Sequence, residues 1–350
     1  MRFDPPKEKG KINFNDYNLR PAGSYLDSAR CDLNDLMKQM DDADAAAKKL
    51  LGELGEKDAN VLGNDAPKTK AEEEPEKPDL GELLKKLDEL VGLDKIKANV
   101  KSLINLVKVR KLREENGLPV PPMSLHLVFM GNPGTGKTTV ARLIAQLYCA
   151  IGVLSKGQLV EVDRSGLVAG FVGQTAIKTG DVIKSAIGGV LFIDEAYALA
   201  SAEGSNDFGH EAIEALLKAM EDNRNDLVVI VAGYEELMER FISSNPGLES
   251  RFNRYFIFED YTGEQLYTIF TSMCEKNRYV LDDEAAEFSK AHFIELYDTR
   301  DENFGNARNI RNIFENVISI HSDRVAVMEA PTKDDLMTVK KEDVEKASLM

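Results

Sequence analysis

The sequence predicts an α/β fold, in which a parallel five-stranded sheet carries helices on both faces and a smaller all-helical domain follows it. Five short apolar runs alternate with helical patterns, and this alternation is typical of a parallel sheet covered by helices. After residue 260 the apolar runs stop and helical spacing continues, with Thr262, Asp282 and Thr332 as expected helix caps. The five predicted strands are residues 125–130, 158–162, 190–193, 227–232 and 255–258.

A glycine-rich segment follows directly after the first apolar run and matches the P-loop pattern G-x-x-x-x-G-K-[ST]. Its glycines let successive backbone N–H groups point at phosphate oxygens, and the next helix adds its positive N-terminal end. Lys137 is expected to reach the β- and γ-phosphates, and Thr138 to bind Mg²⁺. The segment therefore predicts a nucleoside triphosphate site contacted by Asn132, Pro133, Gly134, Thr135, Gly136, Lys137, Thr138 and Thr139.

The third apolar run ends in two acids, Asp194 and Glu195. A buried strand that ends in this way delivers carboxylates to the phosphate end of a nucleotide crevice. Asp194 is expected to join the Mg²⁺ shell, and Glu195 to polarise the attacking water. An acidic pair after a strand also occurs as a simple helix start, but the P-loop upstream favours the catalytic interpretation.

The composition is typical of a globular protein and argues against nucleic-acid and membrane partners. A chain of 350 residues with 43% hydrophobic content is long enough for two or three domains with a sizeable core. The formal net charge of −16 argues against a nucleic-acid partner, because such a surface repels phosphates. The apolar runs are too short to span a bilayer, and the three cysteines lie far apart in sequence. These features predict a cytoplasmic protein with no membrane partner.

The first 79 residues divide into two parts. Residues 1–55 are expected to form an N-terminal extension, in which apolar residues spaced by three and four positions predict one amphipathic helix. Packing on the α/β domain of the same chain and pairing with a partner helix both fit this spacing. Residues 56–79, rich in Lys, Glu and Pro, predict a flexible charged linker. The α/β domain is then expected at residues 80–260, and the helical domain at 261–350.

Further motifs accompany the P-loop and the acidic pair, and together they resemble an AAA+ ATPase: Glu89-Leu90-Val91-Gly92-Leu93, Ser250-Arg251-Phe252 and Gly305-Asn306-Ala307-Arg308. Two more motifs are similar to the CbxX/CfqX group, which includes stage V sporulation protein K and red-type rubisco activase: Val231-Ala232-Gly233-Tyr234 and Asn245-Pro246-Gly247-Leu248. The resemblance covers residues 81–347. It implies an ATPase that uses ATP and Mg²⁺, a helical lid domain, and a hexameric ring with each ATP bound between subunits.

The resemblance also implies roles for arginines. A cation supplied across a subunit interface would stabilise the charge that develops on the γ-phosphate. Arg251 is the first choice for this arginine finger and Arg254, three residues on, is expected to share the role; for either residue taken alone, a surface salt bridge is the alternative. Arg308 resembles the lid arginine called sensor 2. Arg311 falls on the same helical face, so an assignment one turn away stays open.

Two other segments resemble parts of an AAA+ nucleotide site. Val91, Gly92 and Leu93 resemble the segment beside the adenine, and core packing is the alternative role for the same residues. Sensor 1 departs from the pattern, because many relatives carry Asn or Thr where this chain has Gly233 and Tyr234. Positioning of water by that residue therefore stays an open question.

Residues 167–173 follow the second apolar run and resemble pore loop 1 of protein-threading AAA+ rings. An aromatic side chain flanked by glycines and small residues can grip an extended polypeptide without reading its sequence. Phe171 is the expected contact, together with Val172 and Gly173. A buried core phenylalanine is the alternative. Residues 201–207 are polar and form a candidate second pore loop.

These features predict a chaperone-like protein-remodelling ATPase, in which a homo-oligomeric ring, a hexamer by resemblance, pulls on a client protein of unknown identity. One alternative is a nucleotide-switched scaffold in sporulation or secretion, and another is a red-type rubisco activase. A DNA motor shares the P-loop and the Ser-Arg-Phe motif. The acidic composition and the lack of a stretch rich in Lys and Arg argue against it.

Overall fold

The computed structural model of the protein describes residues 78–171, 173–200, 208–302 and 304–349. All of them belong to one structural unit, Glu74–Met350. The expected N-terminal helix, nearly all of the expected linker, the candidate second pore loop and Val172 lie outside the described residues.

Five parallel strands form the main sheet in the order β2-β3-β4-β1-β5. The predicted five-stranded parallel sheet is therefore confirmed. In chain order the strands are β1 (Leu127–Gly131), β2 (Leu159–Val162), β3 (Val190–Ile193), β4 (Val228–Gly233) and β5 (Tyr255–Phe258). The three inner strands, β3, β4 and β1, are buried along nearly their whole length because helices cover both faces there. On the edge strand β5, the alternate residues Tyr255 and Ile257 are exposed, so one face of that strand is open in the described structure.

Helices connect the strands and cover the sheet. They are α1 (Leu80–Asp88), α2 (Asp94–Glu115), α3 (Lys137–Ala150), α4 (Arg164–Leu167), α5 (Gln174–Ala186), a 3₁₀ helix (Ala196–Ala200), α6 (Gly209–Asp222), α7 (Glu235–Ser243) and α8 (Pro246–Arg251). Alternate residues of β1 enter two different cores, because successive side chains of a strand point to opposite faces. Phe129 packs in the core with α1, α2 and α3, whereas Val128 packs in the core with α5, α6 and α7.

The strand order places the P-loop at a topological switch point. From β1 the chain crosses to β2 at the far edge of the sheet, although the hydrogen-bonded neighbours of β1 are β4 and β5. Connections that leave a strand in opposite directions open a crevice at its carboxyl end. The segment after β1 therefore lies in that crevice.

The C-terminal part of the chain is a separate helical layer with its own core. Its helices are α9 (Gly263–Lys276), α10 (Asp283–Asp298), α11 (Ala307–Ala326), α12 (Lys333–Met337) and α13 (Lys341–Ala347). Phe270 and Phe293 meet edge to face at its centre, with ring centroids 5.2 Å apart. Thr262, Asp282 and Thr332 each cap a helix N-terminus, as the sequence predicts.

The lid domain departs from an all-helical layer in one detail. Two strands of two residues each, β6 (Val280–Leu281) and β7 (Thr338–Val339), pair in parallel. A strand of two residues leaves no apolar run in the sequence, and the pairing depends on how α10, α11 and α12 fold back, which local spacing does not encode. Of the helices that the structure describes, none is long and apolar enough to cross a membrane.

Candidate nucleotide site

A cleft of about 500 Å³ lies between the P-loop, the segment before α2, the end of β3 and two helices of the lid. This volume is within the usual range for small-molecule sites. The large domain lines it with residues that include Val91, Leu93, Gly134, Lys137, Thr138, Thr139, Asp194, Glu195 and Tyr234. The lid contributes Ile269, Met273 and Lys276 from α9 and Ala307, Arg308 and Arg311 from α11.

The P-loop curls around the ammonium group of Lys137. That group donates hydrogen bonds of 2.8 Å to the carbonyl oxygens of Gly131 and Asn132. Gly134 and Gly136 adopt φ of 73° and 93°, a region that glycine enters without steric cost. The loop is thus shaped so that α3 begins with its N-terminus facing the cleft.

The side chains of two predicted nucleotide contacts, Thr135 and Asn132, make hydrogen bonds within the protein. The Thr135 hydroxyl is buried and donates to the carbonyl oxygen of Asn132 at 2.8 Å, which braces the loop from inside. The Asn132 amide donates to the Asp260 carboxylate at 3.0 Å, on the side of the loop that faces the lid. In both residues the polar side-chain group therefore holds the loop in shape.

Burial lowers the pKa of the Lys137 ammonium to about 8. The carboxylate of Asp194 opposes this shift most strongly, whereas the guanidinium of Arg308 lowers the pKa further. Desolvation penalises the charged form, and a nearby anion restores it. The site therefore holds an ammonium group that an incoming polyphosphate would stabilise.

The acidic pair directly follows the C-terminal end of β3, as the sequence predicts. Asp194 is half-buried, and its carboxylate accepts a hydrogen bond from the Glu195 backbone at 3.0 Å. Glu195 is exposed and has a φ of 48°. The left-handed region costs an L-residue about 1–2 kcal/mol, and such strain is concentrated at functional sites.

The side chains expected to bind Mg²⁺ lie in this cleft. Thr138 is the second residue of α3, its hydroxyl donates to Glu161 on β2 at 3.4 Å, and Asp194 follows β3. Mg²⁺ usually takes one or two protein oxygens and completes its shell with phosphate oxygens and water. Among the described residues, no group of three or more His, Cys, Asp and Glu side chains could hold a metal by itself. A hydroxyl and a carboxylate fit a magnesium–nucleotide complex.

The sensor 1 position is occupied by aromatic rings. A Cβ on Gly233 would lie 2.7 Å from a ring carbon of Tyr197, so glycine is needed for this close approach. The rings of Tyr197 and Tyr234 have centroids 6.3 Å apart. Burial raises the pKa of Tyr197 to about 12, and the nearby charge of Glu195 adds to the effect. The phenol of Tyr197 therefore lies near the acidic pair and beside Tyr234, the residue at the expected sensor 1 position.

The segment before α2 lines the cleft and packs in the core, and its contact with an adenine stays a prediction. Gly92 and Leu93 both have φ near 60°, at 59° and 58°. Val91 and Leu93 line the cleft, and Leu93 also packs against the cores of both the large domain and the lid. The side chain of Gln265, from the first turn of α9, covers Gly92 so closely that a Cβ there would lie 2.7 Å from its amide nitrogen.

The lid arginines face the nucleotide cleft, whereas the candidate arginine fingers do not. Arg308 and Arg311 both line the cleft, one turn apart on α11. Arg251 ends α8, and Arg254 precedes β5, where its Nε donates to the carbonyl oxygen of Ser124 at 3.4 Å. Among the described residues, neither Arg251 nor Arg254 lines the cleft of its own chain.

Phe171 lies on the surface, so the alternative of a buried core phenylalanine is wrong. Its exposed fraction is 72%, and it follows α4 in the connection from β2 to α5. Around Gly170 and Gly173 a Cβ would meet no described atom within 4 Å. The tip of this loop is therefore open on both sides of the aromatic ring.

Sequence reasoning missed a set of residues between the P-loop and the lid. Asp260 and Tyr261 follow β5, and the Tyr261 hydroxyl donates to the carbonyl oxygen of Thr135 at 3.2 Å. Asn306 is buried directly before α11. A polar residue just after a strand at the switch point is a usable signal for Asp260. Asn306 lies in a motif that carries the resemblance, but its spacing indicates no role for it.

Family comparisons agree with this geometry. The AAA family, the ATPase family associated with various cellular activities, matches residues 127–260, and the AAA lid domain matches residues 262–349. A solved structure of the FIGL-1 AAA domain in complex with ADP is similar, with a TM-score of 0.53 and 19% identity, covering 74% of this chain and 82% of that one. At this identity the similarity shows the fold.

Curated relatives are closer in sequence. Stage V sporulation protein K of Bacillus subtilis is 44% identical, covering 76% of this chain and 82% of the relative. A CfxQ homolog of Galdieria sulphuraria is 43% identical, covering 79% and 92%. The chloroplastic ribulose bisphosphate carboxylase/oxygenase activase of Cyanidioschyzon merolae is 42% identical, covering 77% and 92%. The chain therefore belongs to the AAA ATPases, in the group of stage V sporulation protein K, CbxX and CfxQ, and its reaction is the hydrolysis of ATP.

Proposed function

We propose that this chain is a protein-remodelling ATPase that assembles into a hexameric ring in the cytoplasm and pulls on a client protein with its Phe171 loops. The observation that carries the proposal is the exposure of Phe171, which is 72% accessible between two glycines. A large aromatic side chain on a flexible loop gains contact area when it grips a polypeptide.

The base of this loop is tied to the nucleotide site. The backbone N–H of Asp194 donates to the carbonyl oxygen of Val162, the last residue of β2, at 2.8 Å. Below the tip, Thr179 donates to the carbonyl oxygen of Leu167 at 3.1 Å, and Ala169 donates to the Thr175 hydroxyl at 3.0 Å. Because these hydrogen bonds join β2, α4 and α5, a movement of Asp194 or Glu195 would move the base of the Phe171 loop as a rigid unit.

The P-loop and four polar side chains of the cleft have distinct tasks in ATP hydrolysis. The Lys137 ammonium binds the β- and γ-phosphates, and the P-loop N–H groups orient them. The Thr138 hydroxyl and the Asp194 carboxylate would hold Mg²⁺, which would supply positive charge against these phosphates. Glu195 orients the attacking water and takes its proton as general base.

Arg251 is the group that requires a second subunit in this proposal. It lies outside the cleft of its own chain, and its Nε is buried without a hydrogen-bond partner among the described residues. A guanidinium group inserted from a neighbouring subunit would stabilise the charge on the γ-phosphate and make hydrolysis depend on assembly. The hexamer is proposed on this basis and on the family resemblance.

A photo-crosslinking experiment tests the pulling function. A photoreactive residue at position 171 of the Glu195→Gln variant should capture a client only with ATP, whereas the same residue at Val327, which is 83% exposed in the lid, should not. With the captured client purified, Phe171→Ala should keep ATP hydrolysis and lose remodelling, and Phe171→Trp should keep both. Normal remodelling by Phe171→Ala would contradict the proposal.

Rubisco activation is the second candidate, because one relative at 42% identity is named as a rubisco activase. The assay is reactivation of purified red-type rubisco that carries an inhibitory sugar phosphate. Reactivation that requires ATP and Phe171 would identify rubisco as the client. If the ATPase rate proves insensitive to any client and position 171 captures none, the nucleotide-switched scaffold takes the place of both candidates.

A further inference from the structure

Four polar side chains meet where the P-loop, the end of β5 and the start of α11 converge. We call them the Asp260 hub, which consists of Asn132, Asp260, Arg300 and Asn306. The Asp260 carboxylate accepts from the Asn132 amide at 3.0 Å and from the Asn306 amide at 2.7 Å. The guanidinium of Arg300 lies 3.4 Å from its other oxygen. One carboxylate thus joins the P-loop to two segments of the lid.

Asn306 is fully buried, and each of its side-chain groups is used. Its amide nitrogen donates to Asp260, to the carbonyl oxygen of Phe304 at 3.0 Å and to that of Pro133 at 3.4 Å. Its amide oxygen accepts from the backbone N–H of Tyr261 at 2.9 Å. An asparagine side chain offers one acceptor and two donor hydrogens, so this residue is saturated.

The backbone of Asn306 is also unusual. Its φ of 49° and ψ of −130° lie outside the regions that most L-residues adopt. Such a conformation persists only where surrounding contacts determine it. The hub therefore holds Asn306 in a strained geometry at the start of α11, two residues before Arg308.

The adjoining backbone contacts leave little freedom between the P-loop and α11. The Ala307 N–H donates to the carbonyl oxygen of Gly134 at 3.3 Å. A Cβ on Gly134 would collide with the carbonyl oxygen of Gly305 and lie 2.8 Å from the Arg308 backbone nitrogen. Glycine at position 134 is therefore needed for the close approach of the lid backbone as well as for the phosphate-binding shape of the loop.

We propose that the Asp260 hub positions Arg308 for ATP hydrolysis, because it couples the conformation of the P-loop to the angle of the lid. Asn306 and Asp260 act as positioning residues: they touch the P-loop and the lid, and they act on the reaction through Arg308. A nucleotide that displaces Asn132 or Pro133 moves Asp260 and Asn306 with it, and α11 follows. The proposal rests on the sensor role of Arg308 and is independent of Phe171 and of any client.

The first test separates the amide of Asn306 from its backbone conformation. Asn306→Gly tolerates the strained φ and removes the four hydrogen bonds, so the variant is expected to fold. A misplacement of a catalytic group by about 1 Å costs up to about 100-fold in rate, so we expect kcat for ATP to fall about 10- to 100-fold. The dissociation constant of a fluorescent ATP analogue should change less than about threefold, because Lys137 is untouched. Asn312→Ala, an exposed residue of α11, is the matched control and should leave kcat unchanged.

A double-mutant cycle then asks whether the loss acts through Arg308. Groups that act as one unit are non-additive, so Arg308→Ala should cost far less in the Asn306→Gly background than in the parent protein. Fully additive losses, or an unchanged kcat in Asn306→Gly, would overturn the proposal. If Asn306→Gly melts at a lower temperature than the parent, Asn132→Ala serves instead. It removes the hydrogen bond between the Asn132 amide and Asp260, leaves the Asn306 contacts in place and should show the same non-additivity.

Lid movement gives a readout that does not depend on activity. Spin labels on cysteines placed at Ile177 in α5 and Val327 in the lid, both exposed, report the distance between the two domains. The Glu195→Gln protein, with Cys31 changed to Ser and with Cys149 and Cys274 buried, is measured with ADP and with ATP. The distance distribution should shift between the nucleotides and lose that shift with Asn306→Gly. A shift that survives Asn306→Gly would contradict the coupling.

Discussion

The guanidinium of Arg251 lies 3.5 Å from the carboxylate of Glu221 within the same chain. Arg251 also donates to the carbonyl oxygen of Gly247 at 3.4 Å, so α6 and the start of α8 hold it at the surface. In the proposed ring these contacts would hold the Arg251 guanidinium ready for a neighbouring cleft, because its planar group keeps its donors in a fixed arrangement.

Mixing two inactive variants tests this role of Arg251. Glu195→Gln lacks the general base and Arg251→Ala lacks the finger, so each alone should lose at least about 10²-fold in ATP hydrolysis. In mixed rings about a quarter of the interfaces combine an intact Glu195 with an intact Arg251 from the neighbour, because the contacts are head-to-tail. The steady-state rate of the mixture should therefore rise well above both variants.

Arg254→Ala is the control for that experiment. Arg254, whose Nε donates to the Ser124 carbonyl oxygen of its own chain, is the second candidate for the finger. If Arg251 alone acts between subunits, Arg254→Ala should keep most of the activity by itself. A mixture of Glu195→Gln and Arg251→Ala that stays inactive would show that Arg251 does not act between subunits.

ATP binding should take up protons at alkaline pH through Lys137. The pKa of its ammonium is about 8 without nucleotide, because it is buried, and bound phosphates raise it. Below pH 8 the group is charged in both states, whereas above it the free protein must gain a proton to bind ATP. Affinity should therefore fall as pH rises, by up to about tenfold per unit, until the pH passes the pKa of the complex.

Calorimetric titrations in two buffers of different ionisation enthalpy measure the proton uptake at alkaline pH. Lys137→Arg is the control, because a guanidinium stays protonated throughout this range. The variant should bind ATP without proton uptake. The same uptake in Lys137→Arg would assign the proton to another group.

The strain at Glu195 predicts an unusual stability difference. Its φ of 48° penalises any side chain with a Cβ, so Glu195→Gly should have a free energy of unfolding about 1 kcal/mol higher than Glu195→Ala. Both variants should lose ATP hydrolysis by about 10²- to 10⁴-fold. Urea unfolding of the nucleotide-free proteins measures the difference.

Glu239, exposed in the middle of α7, provides the matched comparison. There the order should reverse, with glycine about 1 kcal/mol less stable than alanine, because glycine loses more backbone entropy in a helix. If the glycine variant were less stable than the alanine variant at both positions, the backbone conformation at Glu195 would impose no strain.

The lid depends on a buried ion pair between Arg324 and Asp343. Asp343 is 1% exposed and accepts from two guanidinium nitrogens of Arg324 at 2.9 and 2.8 Å. Asp343→Ala removes the main partner of a largely buried guanidinium and leaves it with Glu342 at 3.9 Å and the carbonyl oxygen of Thr338. The free energy of unfolding of the lid should therefore fall by about 3 kcal/mol, the lower end of the cost of breaking a buried pair. Urea unfolding followed by hydrogen exchange in α11 measures the loss.

Lys346→Ala is the control within the same helix. Its exposed ammonium lies 3.8 Å from Glu342, and exposed pairs contribute about 0–1 kcal/mol. If the two variants lost comparable free energies of unfolding, burial of the Arg324–Asp343 pair would not be the cause of the loss in Asp343→Ala.

Much of the nucleotide site is readable in the sequence. The P-loop, the acids after β3 and the strands themselves follow from patterns a few residues long. Glycine at positive φ, the helix after Gly136 and the apolar run before Asp194 are all set by neighbouring residues. Backbone conformation and apolar periodicity are local properties, so a short window of sequence contains them.

Other features depend on residues brought together from distant parts of the chain. Asn132 meets Asp260 and Asn306 only because β1 and β5 are neighbours in the sheet and the lid folds back over the P-loop. The exposure of Phe171, the distance of Arg251 from its own cleft and the pairing of β6 with β7 have the same origin. Local pattern thus determined which chemistry this chain performs. The packing of the sheet against the lid decided which groups hold that chemistry in place, because contacts between distant segments depend on the path of the whole chain.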